Sequence, residues 1–314
     1  MTRHFLLDTD LTPAEQADVL DLAIAMKADR WAHRPYEGPQ SVAVIFDKTS
    51  TRTRFSFATG IADLGGSPII VNPGESQLGH KESVADTSKV LSQMVATIVW
   101  RTFEQSGLEE MAENATVPVI NALSDDYHPC QILADLLTIR ERFGRTEGLT
   151  MAYLGDAANN MSNSYLLGGA TAGMNVHVAG PEGHLPASDI LDAARERAAQ
   201  TGATIRATTN VSEAVAGADI VVTDTWISMG QSDPTGQREK DFAPYQVNED
   251  VMKQAGPEAI FMHCLPAYRG KEVTADVIDG ERSVVWQEAG NRVHAQKAIM
   301  TWLMNESARN ARER

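Results

Sequence analysis

The stretch SVAVIFDKTSTRTRFSFATGIADLGG, residues 41–66, decides the fold because it changes from a strand pattern to a helix pattern across one short turn. SVAVIF is a continuous apolar run rich in β-branched residues, which predicts a buried strand. In the run that follows, Phe57, Ile61 and Leu64 recur at helical spacing, and Gly65 with Gly66 would end the helix. The turn around STRTR is therefore predicted to form the helix N-terminus.

Apolar runs like SVAVIF recur along the chain, with amphipathic segments between them. The further predicted strands are PIIV at 68–71, TIVW at 97–100, VPVI at 117–120, TMAYLG at 150–155, NVHVAG at 175–180, ADIVVTD at 218–224, AIFMHC at 259–264 and SVVW at 283–286. Short, nearly continuous apolar strands that alternate with helices are typical of parallel sheets covered on both faces. The sequence therefore predicts an α/β protein with two doubly wound parallel-sheet domains.

The domain boundary is predicted near residue 145. A length of 314 residues exceeds what one hydrophobic core normally serves. After a predicted helix at 129–143, the stretch RFGRTEG supplies glycines and mixed charge suited to a joint. We therefore expect domains at 1–145 and 146–290, followed by an amphipathic helix at 291–314. A long polar loop at 229–246 is either a surface excursion or a mobile lid or ligand contact, and the sequence favours neither interpretation.

Composition favours a protein that handles small molecules in a reducing compartment. The formal net charge of −15 repels nucleic acid and anionic membranes. No apolar run approaches the roughly 20 residues that span a bilayer, and no signal-like segment is found near the start. Cys130 and Cys264 lie far apart without metal-ligand spacing, which argues against a zinc motif and a disulfide framework. A soluble protein of the reducing cytoplasm that handles small molecules is the expectation.

The STRTR turn is predicted to bind a phosphate group. Backbone N–H groups and the positive end of the helix dipole collect at a helix start, and Ser50, Thr51 and Thr53 add neutral donors. Arg52 and Arg54 point about 200° apart on a helix, so we assign Arg52 to the anion and Arg54 to structure. A helix cap without a ligand is the alternative. Neither a P-loop nor a dinucleotide fingerprint occurs, which favours a small phosphate compound.

Polar residues follow several of the other predicted strands. His128 and Gln131 lie three apart at a helix start and could donate hydrogen bonds to an oxygen that becomes negative during attack. Arg101 follows TIVW, at the strand end where open α/β sheets bind ligands. Asn159 and Asn160 could receive a carboxylate or merely cap a helix. For each of these residues a structural role is the alternative.

Two later strand ends offer a second group of candidates. Asp224 follows ADIVVT with Ser228 four residues further on, an arrangement suited to a ligand ammonium group. Cys264 and Leu265 follow AIFMH, and the bond between Leu265 and Pro266 is a candidate cis peptide. We expect Cys264 to be a contact residue or a buried thiol instead of a covalent nucleophile.

The order of these motifs along the whole chain resembles that of the ornithine carbamoyltransferases. The matching stretches are STRTR, SQLGHKES, HPCQ, GDAANN, DTWISMG and HCLPA. The resemblance implies a domain for carbamoyl phosphate at 1–145, completed by the helix at 291–314, and a domain for ornithine at 146–290. It also implies citrulline formation in arginine metabolism, with biosynthesis as the expected direction, by a homotrimer or a multiple of trimers that needs no cofactor.

The resemblance further implies which residues contact each substrate. The implied carbamoyl phosphate contacts are Ser50, Thr51, Arg52, Thr53, Gln77, Arg101, His128, Gln131, Cys264, Leu265 and Arg292. The implied ornithine contacts are Asn160, Asp224, Ser228 and Met229. Among these, catalytic roles are implied for Arg101, His128, Cys264 and Asp224. Gln77 is implied to reach the site of a neighbouring subunit.

Three rival interpretations stay open on the sequence alone. A sister transferase could use putrescine, aspartate or an acylated ornithine, although Asp224 suits an ammonium group better than the carboxylate of aspartate. A dehydrogenase on a similar sheet would need the glycine fingerprint that this chain lacks. A non-catalytic carbamoyl phosphate binder is the third.

Overall fold

The computed structural model describes residues 2–75, 82–228 and 233–312. Contacts divide the chain into two units, unit 1 with residues 1–137 and 290–314 and unit 2 with residues 138–289. The division by contacts falls inside a helix, whereas the boundary predicted near residue 145 follows that helix. Among the described helices, none is both long and apolar enough to cross a membrane.

Unit 1 alternates strands and helices. After a 3-10 turn at Asp8–Asp10, its elements are α1 Pro13–Ala28, β1 Ser41–Phe46, α2 Arg52–Asp63, β2 Ser67–Val71, α3 Val84–Leu91, β3 Thr97–Arg101, α4 Gln105–Asn114, β4 Val119–Leu123 and the start of α5 Pro129–Phe143. As predicted, α2 buries Phe57, Ile61 and Leu64 completely. Gly65 ends the helix at φ 85°, a left-handed conformation that favours glycine.

The sheet of unit 1 has the strand order β2-β1-β3-β4, and all pairs are parallel. From β1 the chain first moves outward to β2 and then returns to the other side of β1 to form β3. The direction of winding therefore reverses between β1 and β3. In open parallel sheets, ligands bind at the carboxyl ends of the two strands beside such a reversal.

Unit 2 repeats this architecture with five strands. Its elements are β5 Thr150–Leu154, α6 Asn160–Thr171, β6 Asn175–Ala179, α7 Ser188–Thr201, β7 Ile205–Thr208, α8 Val211–Val215, β8 Ile220–Thr223, α9 Gln237–Phe242, a 3-10 turn at Ala243–Tyr245, α10 Glu249–Gln254, β9 Ile260–Met262, α11 Ala275–Ile278 and the start of α12 Val285–Arg312. The parallel order is β7-β6-β5-β8-β9. Here the winding reverses between β5 and β8.

The C-terminal part of α12 packs on unit 1, as the resemblance implied. Lys297 is fully buried, and its ammonium group donates hydrogen bonds to the Arg30 carbonyl and, over 3.4 Å, to the Asp63 carboxylate. Burial lowers the pKa of Lys297. Asp63 also accepts a 2.8 Å bond from the Arg30 side chain, and Lys27 donates to Asn291 over 2.7 Å. Hydrogen bonds and an ion pair therefore connect this helix to α1, to the residues just after it and to the end of α2.

The structure corrects several sequence predictions. SVVW is not a strand, because α12 begins within it at Val285 and only Ser283 makes an isolated bridge to Phe261. The helix predicted from residue 291 therefore starts earlier. The strand β7 was not predicted. The segment predicted as a loop at 229–246 contains α9 and a 3-10 turn, while its residues 229–232 lie outside the described residues.

Candidate active site

The loop after β1 leads directly into the first turn of α2. Thr51 already has helical dihedral angles and makes no side-chain cap bond. Ser50 caps the turn instead, because its Oγ accepts a 3.2 Å hydrogen bond from the backbone N–H of Thr53. The hydroxyl-rich stretch therefore forms the helix start, at the carboxyl end of β1 and beside the winding reversal. Its remaining N–H groups favour an anion there.

Two arginines from distant segments converge on the hydroxyl of Thr53. Arg101, the last residue of β3, donates from Nη1 over 3.3 Å, and Arg292 of α12 donates from Nη2 over 3.2 Å to the same oxygen. Arg292 also donates from Nη1 to Oε1 of Gln131, whose amide nitrogen in turn donates to Asp135 over 2.8 Å. All five side chains are buried. Concentrated positive charge in a low-dielectric site attracts an anion strongly.

The two arginines of STRTR lie in different surroundings. The guanidinium carbon of Arg54 lies 5.5 Å from the ring centre of Phe46, the last residue of β1, in a cation–π contact. Arg52 is half-buried, and its charge is one of those that act on His128. Arg52 therefore lies close enough for its charge to act on His128, whereas Arg54 packs against Phe46 of β1.

His128 lies immediately before Pro129, the first residue of α5, and is almost completely buried. Burial lowers its pKa well below the usual value, and the charges of Arg292, Arg101 and Arg52 lower it further. The imidazole is therefore neutral at pH 7. A neutral imidazole keeps one N–H donor that can bond an oxygen as it becomes negative.

In unit 2, Asp224 follows β8 at the winding reversal and is buried. Its Oδ1 accepts a 2.7 Å bond from the backbone N–H of Thr225 and a 3.3 Å bond from the Cys264 thiol. Its Oδ2 accepts from the Asn159 amide over 3.4 Å, and that amide also bonds Tyr153 over 3.0 Å. Burial raises the pKa of Asp224, and its hydrogen bonds partly offset the rise. The carboxylate is thus held in one orientation.

The segment after β9 is held by buried carboxylates. The Leu265 N–H donates to Nδ1 of His263 over 2.9 Å, so Nδ1 is unprotonated and Nε2 carries the proton, 3.2 Å from the Glu272 carboxylate. Glu288 accepts from the His263 backbone N–H over 2.9 Å. The peptide bond between Leu265 and Pro266 is cis, as predicted. His263 therefore fixes the backbone beside Cys264 instead of acting as a base for its thiol.

One group in the described ranges has the ligand types of a metal site. Ligand atoms of Asp224, His263 and Cys264 all lie within 4.8 Å of one another. Both ring nitrogens of His263 already make hydrogen bonds to Leu265 and Glu272. A metal ion could use this imidazole only by displacing one of those bonds, so the arrangement fits an organic ligand better.

The remaining predicted site residues are placed as follows. Asn160 is the first residue of α6 and is half-buried, and Ser228 is half-buried beyond the end of β8. Asn159 forms the N-cap of α6 by accepting a 2.9 Å bond from the Ser162 N–H. Gln77 and Met229 lie outside the described residues.

Sequence reasoning missed several residues that the structure places in these networks. Asp135 lies one helical turn after Gln131, a spacing that could have identified it. Tyr153 carries no signal in the sequence, because a tyrosine in an apolar strand looks like a core residue. Its burial raises its pKa well above the usual value, and so do the charges of Asp224 and Asp156. It is therefore an uncharged hydroxyl that bonds Asn159.

Comparisons with known proteins agree with both units. Residues 3–141 match the carbamoyl-P binding domain model of aspartate/ornithine carbamoyltransferases, and residues 147–303 match the Asp/Orn binding domain model. The chain is 60% identical to the ornithine carbamoyltransferase of Leifsonia xyli subsp. xyli over 99% of this chain and 100% of the relative. It is also 60% identical to that of Clavibacter sepedonicus, over 98% and 100% of the two chains.

Solved structures of ornithine carbamoyltransferases also match this chain along nearly its whole length. The ornithine carbamoyltransferase from Pyrococcus furiosus superimposes with a TM-score of 0.93 at 43% identity, covering 97% of each chain. The enzyme from Gloeobacter violaceus gives a TM-score of 0.87 at 43% identity, covering 96% of this chain and 98% of the other. The chain therefore belongs to the ornithine carbamoyltransferases of the aspartate/ornithine carbamoyltransferase family.

Proposed function

We propose that this enzyme transfers the carbamoyl group of carbamoyl phosphate to the δ-amine of L-ornithine and releases L-citrulline and phosphate. One observation carries the proposal. A buried cationic group at the winding reversal of unit 1 accompanies a buried carboxylate at the corresponding point of unit 2. The first suits a phosphate compound, and the second suits an amino acid ammonium group.

The proposed carbamoyl phosphate site collects the helix start and the residues around it. We assign to it Ser50, Thr51, Arg52, Thr53, Gln77, Arg101, His128, Gln131, Cys264, Leu265 and Arg292. The N–H groups of α2 and the side chain of Arg52 would bind the phosphate oxygens. Arg101 and His128 would donate to the carbonyl oxygen. Support comes from the convergence of Arg101 and Arg292 on Thr53 and from the neutral state of His128.

The proposed mechanism is direct attack. The δ-nitrogen forms a bond to the carbonyl carbon, the carbon–oxygen bond to phosphate breaks, and the proton lost by the amine passes to the departing phosphate. The carbonyl oxygen becomes negative in the transition state, where donors fixed in a dry site stabilise it most. Phosphate leaves without covalent catalysis by the enzyme. Cys264 and Leu265 would lie beside the δ-nitrogen, and the bond from the Cys264 thiol to Asp224 argues against a free nucleophilic thiolate.

The proposed ornithine site distinguishes ornithine from related acceptors. Asp224 and Ser228 would bind the α-ammonium group, and Asn160 with the backbone of Met229 would bind the α-carboxylate. Putrescine lacks that carboxylate. Aspartate carries a second carboxylate, which would meet Asp224 with like charge. Free L-ornithine fits this donor and acceptor set best.

We further propose the domain bounds, the oligomeric state and the cellular context of the enzyme. The domains would be 1–145 with 291–314 for carbamoyl phosphate and 146–290 for ornithine. The enzyme would form a homotrimer or a multiple of trimers, with Gln77 reaching a neighbouring subunit. Arginine biosynthesis in the cytoplasm is the proposed context. The family assignment and the paired sites support these proposals.

The decisive experiment is carbamoyl transfer to a panel of acceptors. Wild-type enzyme would be given carbamoyl phosphate with ornithine, putrescine, aspartate or N-acetylornithine, with Arg52→Ala as the site variant. We expect citrulline from ornithine alone and a loss of about 10³-fold in the variant. Preference for another acceptor would overturn the roles of Asp224 and Ser228. No transfer at all would favour the non-catalytic binder.

A further inference from the structure

Arg238, in the short helix α9, joins two loops of unit 2 that are separate in sequence. Its Nε donates to the carbonyl oxygen of Trp226, and its Nη2 donates to the carboxylate of Asp156. The guanidinium carbon also lies 4.8 Å from the ring centre of Phe242 in a cation–π contact. Arg238 is 19% exposed and Asp156 is 5% exposed, so solvent screens this ion pair little.

The first of these loops carries the proposed contacts to the α-ammonium group. Trp226 lies midway between Asp224 and Ser228, so a bond to its carbonyl fixes the backbone between the two. The indole ring of Trp226 stacks on Phe242, with the ring centres 6.3 Å apart and the planes 24° apart. The hydrogen bond from Arg238 and the stacked ring of Phe242 therefore restrain Trp226.

The second loop carries the proposed contact to the α-carboxylate. Asp156 opens the turn from β5 to α6, where its Oδ1 accepts a 3.3 Å bond from the Ala158 N–H. Its backbone carbonyl accepts a 3.3 Å bond from the Asn159 N–H. The carboxylate that binds Arg238 thus also shapes the turn that presents Asn160.

We propose that Arg238 is a positioning residue for the amino acid substrate, and this inference rests on the proposed function. Its guanidinium holds the turn Asp156–Asn160 and the loop Asp224–Ser228 at a fixed separation. Contacts to the α-carboxylate and the α-ammonium group then stay at the spacing of one amino acid. Arginine suits this task because its planar fork presents two donors in fixed geometry, which the single ammonium of lysine does not.

Asp156 also lies beside a second side chain, that of His184, which would remain if Arg238 were replaced. His184 Nδ1 lies 3.6 Å from Oδ1 of Asp156, and its ring lies 4.9 Å from that of Phe242 in an edge contact. The Asp156 carboxylate therefore keeps a neighbour when Arg238 is replaced. Replacing Arg238 removes the link between the loops without leaving Asp156 wholly isolated, so folded protein is expected.

The test compares Arg238→Gln and Arg238→Lys with wild-type enzyme in steady-state kinetics. We expect the KM for ornithine to rise about tenfold or more in Arg238→Gln, because small misplacements of binding groups weaken productive binding. The KM for carbamoyl phosphate and kcat at saturating ornithine should change less than about threefold. Arg238→Lys should recover part of the loss. The inhibition constant of L-norvaline, which keeps both α-groups but lacks the δ-amine, should rise in parallel with the KM for ornithine.

A matched control separates positioning from general stability. On the exposed surface of the same unit, the Arg269 guanidinium donates two hydrogen bonds, of 2.8 and 2.6 Å, to the Asp279 carboxylate. Arg269→Lys should leave all kinetic constants unchanged. Equal effects on both substrates, or an unchanged ornithine KM in a folded Arg238→Gln variant, would overturn the positioning role. Wild-type enzyme that forms no citrulline would instead overturn the proposed function.

Discussion

The reversal points of the two sheets carry opposite charges. In unit 1, Arg101 at the end of β3 and Arg292 of α12 are buried around Thr53, and burial keeps His128 neutral by lowering its pKa. In unit 2 the equivalent strand ends bury Asp224, whose pKa burial raises. In open parallel sheets the winding reversal marks where ligands bind, and we infer that the residue types at the strand ends select the charge of the ligand. The predictions below test whether the two sites differ in this way.

The largest effect is expected from Thr53→Val, which keeps the side-chain shape and removes the oxygen that Arg101 and Arg292 share. Both guanidinium groups would lose their common acceptor, so kcat/KM for carbamoyl phosphate should fall about 10²- to 10³-fold. Steady-state kinetics at saturating ornithine would measure this. Thr59→Val, in the same helix, is the control and should retain activity. A loss below tenfold would mean that the hydroxyl does not organise the cationic site.

The pH dependence tests the neutral state of His128. Because its pKa lies well below 6.5, the histidine does not titrate between pH 7 and 9. The lysine-like δ-amine has a pKa of about 10.4, so kcat/KM for ornithine should rise about tenfold per pH unit across this window. Profiles of kcat/KM at subsaturating ornithine would show the slope. A flat profile would contradict attack by the free amine.

A smaller effect, confined to one substrate, is expected from Asp224→Asn. Asparagine keeps the shape and the acceptor for Thr225 but removes the charge, so the KM for ornithine should rise about 10- to 100-fold. The KM for carbamoyl phosphate should not change. Asp219→Asn, at the other end of β8, is the control. Equal losses of affinity for both substrates would contradict the proposal that Asp224 acts on ornithine alone.

The smallest effect concerns acid stability. Burial lowers the pKa of His4 to about 4, so below pH 6.5 the unfolded chain binds a proton that the folded chain does not. The free energy of unfolding should therefore fall as the pH drops from about 6.5 to 5. His4→Asn should reduce this loss by on the order of 1 kcal/mol, after allowance for partial solvent screening.

Hydrogen exchange would locate that loss. Nδ1 of His4 accepts a bond from the Val119 N–H of β4, so amides near β4 should lose protection on acidification. Asp224 responds in the opposite direction, because protonation relieves the cost of burying its charge. Equal loss of protection in β4 and β8 would contradict the electrostatic contrast between the units.

Local patterns predicted much of the fold. The strand β1 and the helix α2 follow from apolar runs and glycines that act within a few residues. SVVW was wrongly predicted as a strand because a run of three apolar residues fits either a strand or a helix start, and in the structure α12 begins at Val285. The helix α9 was missed because its six residues, five of them polar and only Phe242 apolar, show no periodicity.

Local patterns predicted less of the candidate site. Several of the motifs follow strand ends, which sequence can predict once the strands are known, whereas SQLGHKES lies largely outside the described residues. The bonds that orient the side chains join residues far apart in the chain. Arg292 bonds Thr53, and Arg238 bonds Asp156, across separations that no local pattern encodes. Arg292 was predicted as a site residue only from the resemblance to known transferases, because no local pattern in the sequence pointed to it.

The discontinuity of unit 1 has a consequence for synthesis on the ribosome. All of unit 2 is translated before Arg292 and Lys297, which complete the cationic site and the packing on α2. Domains usually fold in the order in which they emerge, the N-terminal one first. Here we expect the order to be inverted, because the nascent chain holds a contiguous unit 2 while unit 1 still lacks its last helix. The anion site then forms as one of the final events of biogenesis.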